Sequence, residues 1–469
     1  MGKKNQLKAG KTQIIWEGIL KWSAFTVMCM QLTIGILWFP FRDLGKLLTK
    51  VEKWAAIVPA GLAIAYVVYT YFKTPRLMFR IKNFLKGLFC PEFIMLLLFF
   101  VWNVICTMSA DSRYSRNMFS ANDNALFRTF VSVFITFIIG YIFRGDSVMK
   151  LMEILFHVFC SVLTVCMIYI LYMMCKPEWI HLPGGRTIYM RKTFRLCISC
   201  NSNTTGAISE VIFMMCLYMM IVKKGILRYL YTIAMLVHYL IVVLSNSRTC
   251  IYATGISIAA IVGKLCFDAV KNRVFWQKIL VSVILSVVTA IVIIELRRLV
   301  FYIYESISHL SKYYGVSKTG ARETEMTFSG RVDIWIASVK SVFQNATHFF
   351  FGVTPVRVTD EVSIWTTNHL DMYTHNEFLE ISVAYGVPGL LLYLTWLVMI
   401  ARSCFRVVNG KIRNMNKGLI ILSGMILMLV LANLMEATLL FYQFTIIEGM
   451  FFLACGIITY RLQSDSLLR

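Results

Sequence analysis

Stretches of apolar residues long enough to cross a bilayer recur from one end of this chain to the other, and that feature excludes most folds. A helix needs about 20 apolar residues to span a hydrocarbon core, and inside the core every backbone polar group must find its partner within the protein. The stretches that meet this criterion centre on residues 22–39, 54–72, 93–108, 127–143, 151–174, 207–222, 229–244, 251–267, 279–294, 378–401, 419–434 and 440–460. The expected fold class is all-α, a polytopic integral membrane protein of about 12 transmembrane helices. Tryptophan and tyrosine lie near many of the ends, as interface anchors do. The composition agrees, with 58% hydrophobic and only 15% charged residues.

A formal charge of +23 does not point to nucleic acid here, because Lys and Arg fall mostly in short segments between apolar runs, where they set orientation. The basic segments KTPRLMFRIKNFLK, KKGILR, KLCFDAVKNRVFWQK and RSCFRVVNGKIRNMNK all belong on the cytoplasmic side by that rule, and with an even number of helices both termini are cytoplasmic. The basic start MGKKNQLKAGKTQ lacks a cleavage site before the first apolar run, so that run is expected to be a retained helix. Three parts follow: residues 1–294 with helices one to nine, a large partly helical extracytoplasmic loop over 295–376, and residues 377–469 with helices ten to twelve. The loop over 176–205 also falls outside, although Arg186, Arg191, Lys192 and Arg195 run against the charge rule. The 13 cysteines are scattered and form no disulfide framework; Cys197 and Cys200 make an isolated C-x-x-C that reads as incidental.

The outer segment is too long for an idle connection. Within it Val332, Trp335, Ile336, Val339, Val342 and Phe343 recur at helical spacing, so an amphipathic helix capped by Ser329 is expected to lie on the membrane or over the bundle mouth. The same outer face collects Arg248 in SNSRT, Arg331 in SGRVDIW and His375 in HNEFLE. Two Arg can grip a diphosphate through their fork-shaped donors, and a His can take a proton from an attacking hydroxyl near neutral pH. Together they describe a site for a lipid diphosphate leaving group and an alcohol nucleophile.

Several patterns occur in order around this loop: S-x-S-R at 245–248, G-R-x-x-I-W at 330–335, the glycine of FFGVTP at Gly352, and His375-Asn376 followed after nine residues by G-x-x-G at Gly386 and Gly389. From Ser245 to Leu394 the chain thereby resembles the O-antigen ligase and O-antigen polymerase family of integral-membrane glycosyltransferases of bacterial surface polysaccharide assembly. It departs from the family in carrying Cys250, Ile251 and Tyr252 where a small residue often follows the Arg. The resemblance implies transfer of a glycan from an undecaprenyl-diphosphate donor to a sugar hydroxyl, on a glycan or lipid-linked acceptor, at the outer face of the cytoplasmic membrane. It further implies His375 as general base, Arg248 and Arg331 as the diphosphate clamp, and inversion at the anomeric carbon. Asn376, Glu380, Trp335, Gly386 and Gly389 are expected to support the site. The scheme requires no metal or other cofactor, since Arg supplies the positive charge, and the outer loop has no D-x-D pair. Membrane lipids are the remaining expected partner.

Ionisable groups in apolar segments are costly and often functional. Glu210, Glu380, Glu436 and Glu448 lie in or at the ends of such segments. Glu380, one turn beyond Asn376, is placed to orient the site or to pair with an Arg, whereas Glu210 and Glu448 are expected to pair with Arg of neighbouring helices. His157 and His238 sit within helices, where bonding between helices is their expected role. The rival reading is a secondary transporter or lipid-linked oligosaccharide flippase, which calls for two similar halves or interrupted helices meeting at the midplane.

Overall fold

A computed structural model describes residues 90–109, 137, 146–174, 180–182, 186–191, 195–198, 202–270, 274–306, 331–366, 373–409, 417–437 and 446–467. The helices expected over 22–39, 54–72 and, apart from Phe137, 127–143 lie outside the described residues, as do Ser329, Gly330, Lys192 and Cys200. The described elements are α1 (Pro91–Ser109), α2 (Asp146–Met174), β1 (Ile180–Leu182), β2 (Arg186–Arg191), β3 (Arg195–Ile198), α3 (Ser202–Val222), α4 (Ile226–Leu244), α5 (Arg248–Ala269) and α6 (Phe275–Ser306). They continue with α7 (Arg331–Val342), α8 (Ala346–Phe351), α9 (Val358–Trp365), α10 (Glu377–Val408), α11 (Lys417–Asn433) and α12 (Ile446–Leu467). Among the described residues seven helices are long and apolar enough to cross a membrane, with α11 and part of α12 as shorter apolar helices. The chain is a polytopic membrane protein built of helices.

One short sheet interrupts the helical pattern. The loop over 176–205 contains β1, β2 and β3, paired antiparallel in sequence order, with Leu182 opposite Arg186 and Arg191 opposite Arg195. The alternation in RTIYMR and RLCI is too brief to stand out beside spans of membrane length. Leu196, fully buried, anchors β3 where it packs on α3 and α4.

Polar pairs mark the two ends of the bundle. At one end Lys223, just after α3, bonds Glu153 of α2 at 2.6 Å, and Ser403 of α10 donates to Glu92 of α1 at 3.0 Å. The opposite end holds the start of α3, the α4–α5 turn, the start of α10 and the end of α11. Within the bundle His157 bonds the Tyr231 hydroxyl, and His238 Nε2 meets Thr164 at 3.2 Å. Both are bonds between α2 and α4, the role expected of them. Glu210 has no Arg or Lys partner among the described residues; its carboxyl lies beside Cys250 and Thr254.

Helix α10 is broken at Gly386, where φ is 71° and ψ −179°. Pro388 lacks an N–H, so the carbonyl of Ala384 has no helical donor four residues on. The loop after α8 supplies the missing partners. Val353 N donates to Val383 O and Thr354 N to Ala384 O, both at 2.9 Å, while Trp102 Nε1 reaches Tyr385 O at 2.9 Å. Gly352, with φ 68°, faces the break so closely that a Cβ would strike Ala384 and Tyr385, and a Cβ on Gly386 would strike the carbonyls of Phe349 and Phe350. The two glycines interlock the outer segment with the spanning helix.

The amphipathic helix forms as α7, with its apolar line exposed. Its buried residues are Ile334, Ala337, Ser338, Ser341 and Val342, whereas Val332, Ile336, Val339 and Phe343 are exposed. Of the six residues at helical spacing only Val342 is buried, with Trp335 half-buried. The small residues Ala337, Ser338 and Ser341 let the helix pack closely, and the apolar line is left on the outward face.

The interlock predicts an asymmetry between glycines. Gly225 also has positive φ (62°) but open space around its Cβ position, so Gly225→Ala should cost only about 1 kcal/mol from backbone strain. Gly386→Ala adds a collision with backbone and should lower the thermal midpoint in detergent several-fold more. Equal shifts would contradict the interlock.

Candidate functional site

The site grows from the end of α11. There the chain closes with Leu434 N to Leu431 O and Met435 N to Ala432 O, which leaves the carbonyls of Leu434 and Met435 without helical donors. Asn376 Nδ2 donates to Leu434 O at 2.8 Å, and Arg331 Nη1 donates to Met435 O at 2.7 Å. A cation at a helix C-terminus is also favoured by the helix dipole. The next residue, Glu436, is 5% exposed and binds the remaining parts together.

Arg331 Nη2 donates to Glu436 Oε1 at 2.6 Å, and Asn203 Nδ2 donates to the same oxygen. On the other oxygen, His375 Nδ1 lies at 3.2 Å and the Tyr373 hydroxyl at 3.4 Å. A carboxylate accepts and does not donate, so the neutral ring that faces it carries its proton on Nδ1 and has Nε2 as its basic nitrogen. The Tyr373 ring flanks the imidazole at 4.1 Å between centroids.

Three of the expected supporting residues hold the backbone on either side of His375. Asn376 caps α10, its Oδ1 accepting from Phe378 N at 2.9 Å and Leu379 N at 3.1 Å. Glu380 Oε2 accepts from Thr374 N at 3.0 Å and from the Thr374 hydroxyl at 2.7 Å; it orients this turn and pairs with no Arg among the described residues. Trp335 Nε1 donates to Thr374 O at 3.1 Å. Between these anchors His375 is forced to φ 53°, a left-handed conformation that costs a non-glycine residue of order 1–3 kcal/mol.

Arg248 opens α5, half-buried, and among the described residues no hydrogen bond or ion pair engages its guanidinium. Its turn carries Asn246 at φ 50°. Gly206 lets α3 press against that turn, since a Cβ there would meet Ser245 and Cys250, and Cys250 Sγ reaches Asn203 O at 3.9 Å. Asn203 thus joins the Arg248 turn to Glu436. Gly386 and Gly389 stand about 15 Å further along α10 and serve the helix break, not the site. The sequence separates Glu436 from His375 by 61 residues and from Arg331 by 105. An acidic residue at the end of an apolar run was the available signal; Asn203 and Tyr373 had none.

Asn246, Thr354 and His375 are the non-glycine residues with positive φ among those described, and they fall in SNSR, FFGVTP and HNEF respectively. Residues 233–394 match the O-antigen ligase family. The matched segment, about a third of the chain, is similar to that family. It contains Arg248, Arg331 and His375, while Asn203 and Glu436 lie beyond it. No curated protein matches the chain significantly.

Removing one partner of a buried ion pair leaves the other charge unpaired and costs about 3–5 kcal/mol. Glu436→Ala should therefore destabilise the protein by that order, and adding Arg331→Ala should cost far less than Arg331→Ala alone. Additive losses in a denaturation double-mutant cycle would show that the two side chains do not act as a unit.

Proposed function

We propose that the protein transfers a glycan from an undecaprenyl-diphosphate donor to a sugar hydroxyl, as an O-antigen ligase or a surface polysaccharide polymerase. The family match supports glycan transfer in surface polysaccharide assembly. The observation that carries the finer reading is the shared carboxylate of Glu436, which puts an imidazole and a guanidinium on one acid at one end of the bundle.

In this reading His375 Nε2 takes the proton of the acceptor hydroxyl as its oxygen attacks the anomeric carbon. The bond from that carbon to the phosphate oxygen breaks, and negative charge collects on the leaving diphosphate. Arg331, with N–H donors beyond those bound to Glu436 and Met435, and Arg248, with no protein acceptor among the described residues, meet that charge. Glu436 holds the imidazole in the tautomer the reaction needs and stabilises the imidazolium once it forms, as the carboxylate does in a Ser-His-Asp triad. Attack opposite the diphosphate inverts the anomeric centre. The site end of the bundle faces outside, because the basic segments KKGILR and RSCFRVVNGKIRNMNK follow the opposite ends of α3 and α10.

The break in α10 is the one feature that favours the transporter reading, since interrupted helices supply ion and substrate sites in such proteins. Here Val353, Thr354 and Trp102 each donate to a freed carbonyl, so the protein itself satisfies the groups that the break releases.

In membranes supplied with lipid-diphosphate glycan and acceptor, His375→Ala should abolish transfer while protein level and donor binding stay near wild type. Arg331→Lys should also fail, because an ammonium cannot reproduce the planar fork. Full transfer by His375→Ala would remove the base, and full transfer by Arg331→Lys would reduce the clamp to a simple charge.

A further inference from the structure

The part of α10 beyond its break, residues 387–408, is about 33 Å long and suffices by itself to cross a hydrocarbon core of about 30 Å. Its strongly exposed apolar side chains, Leu391, Val398 and Phe405, all lie in this part, whereas residues 380–386 are buried in protein. With residues 387–408 filling the core, the nine residues before Gly386 would rise above it and His375 would stand about 15 Å beyond it. A prenyl diphosphate whose tail stays wholly within the bilayer cannot reach that height.

Helix α7 spans the same interval. At its top Arg331 meets Glu436 and Trp335 meets Thr374. At its foot Phe343 packs against Phe349, with ring centroids 5.6 Å apart, and the carbonyls of Phe349 and Phe350 lie against Gly386. Between these ends run Val332 (48% exposed), Ile336 (50%), Val339 (44%) and Phe343 (66%), continued by Phe350 (49%). A helix above the hydrocarbon should turn polar residues outward; this one turns small residues inward and a line of apolar ones outward. The line starts beside the guanidinium at the site, ends where the lipid-facing surface of α10 begins, and is about 16 Å long.

We propose that this stripe carries the diphosphate-proximal isoprene units of the lipid donor from the bilayer to the site, so that α7 reads head and tail together: Arg331 the diphosphate, and Val332, Ile336, Val339 and Phe343 the prenyl chain. The inference rests on the reading of the site as a diphosphate site. It makes Ile336 and Val339 determinants of donor specificity, remote from the reacting atoms.

The test compares one glycan on undecaprenyl diphosphate and on geranyl diphosphate, whose tail is too short to follow the stripe, using the full-length protein in nanodiscs. Ile336→Ser and Val339→Ser change exposed positions, so folding should be retained, and each should lower the ratio of kcat/KM for the long over the short donor by about tenfold. The loss should appear in KM, and Ile336→Leu should restore it. An unchanged ratio would overturn the track and indicate that ordinary bilayer lipid covers the stripe. A second readout separates this inference from the transfer reading: undecaprenyl diphosphate carrying a photoreactive group near its head should label residues 332–350, and excess unmodified lipid should suppress the labelling. Labelling there without transfer would sink the enzymatic reading alone, and labelling elsewhere would sink the track.

Discussion

A carboxylate held at 5% exposure must be surrounded by donors, and the donors that surround Glu436 come from three separate parts of the chain. Asn203 arrives from the start of α3, Arg331 from the start of α7, Tyr373 and His375 from the turn before α10. Each would be costly to bury alone; gathered on one acid they neutralise and orient one another. The gathering also settles their chemistry, because an imidazole that donates from Nδ1 is basic at Nε2, and a guanidinium bound through one edge still has donors to offer a phosphate. Arg248 reaches this assembly through Asn203 and the close approach at Gly206.

The second constraint lies at the helix break. A proline and a left-handed glycine release three carbonyls from α10, and these bond to the loop that follows α8 and to Trp102 of α1. Helices α7 to α9 are thus bonded to a spanning helix at their lower end and to the end of α11 at their upper end. The candidate site is thus held by hydrogen bonds at both levels, and the spacing between His375 and the paired glycines sets its distance from the helix break.

Much of the helical framework was legible because apolar length is a strong signal, yet helix ends were not. Helix α6 was expected over 279–294 but runs from Phe275 to Ser306, since a hydropathy criterion stops at Glu295, Arg297 and Arg298 while the backbone bonds do not. The amphipathic helix was placed correctly by its spacing, and the apolar line that includes Ile336 and Val339 is its exposed face. Strands of three to six residues are too short for a period of two to register beside spans several times longer. Within the site, His375, Asn376, Arg331 and Arg248 could be singled out by residue type and order. Glu436 could be noticed as an acid in an apolar setting but not joined to them, because only the packing of α11 against α3 and α10 brings it there.

The central claim is that Glu436 serves catalysis through His375 and not donor binding. Its most direct test is a parallel measurement, on Glu436→Gln, of undecaprenyl-diphosphate binding and of single-turnover transfer. The amide keeps the shape of the carboxylate but neither its charge nor its acceptor-only character. Donor affinity should then be retained or increased, since Arg331 loses its counter-charge, while the transfer rate falls by at least about 100-fold. Transfer at the wild-type rate, or a loss confined to donor affinity, would contradict the account.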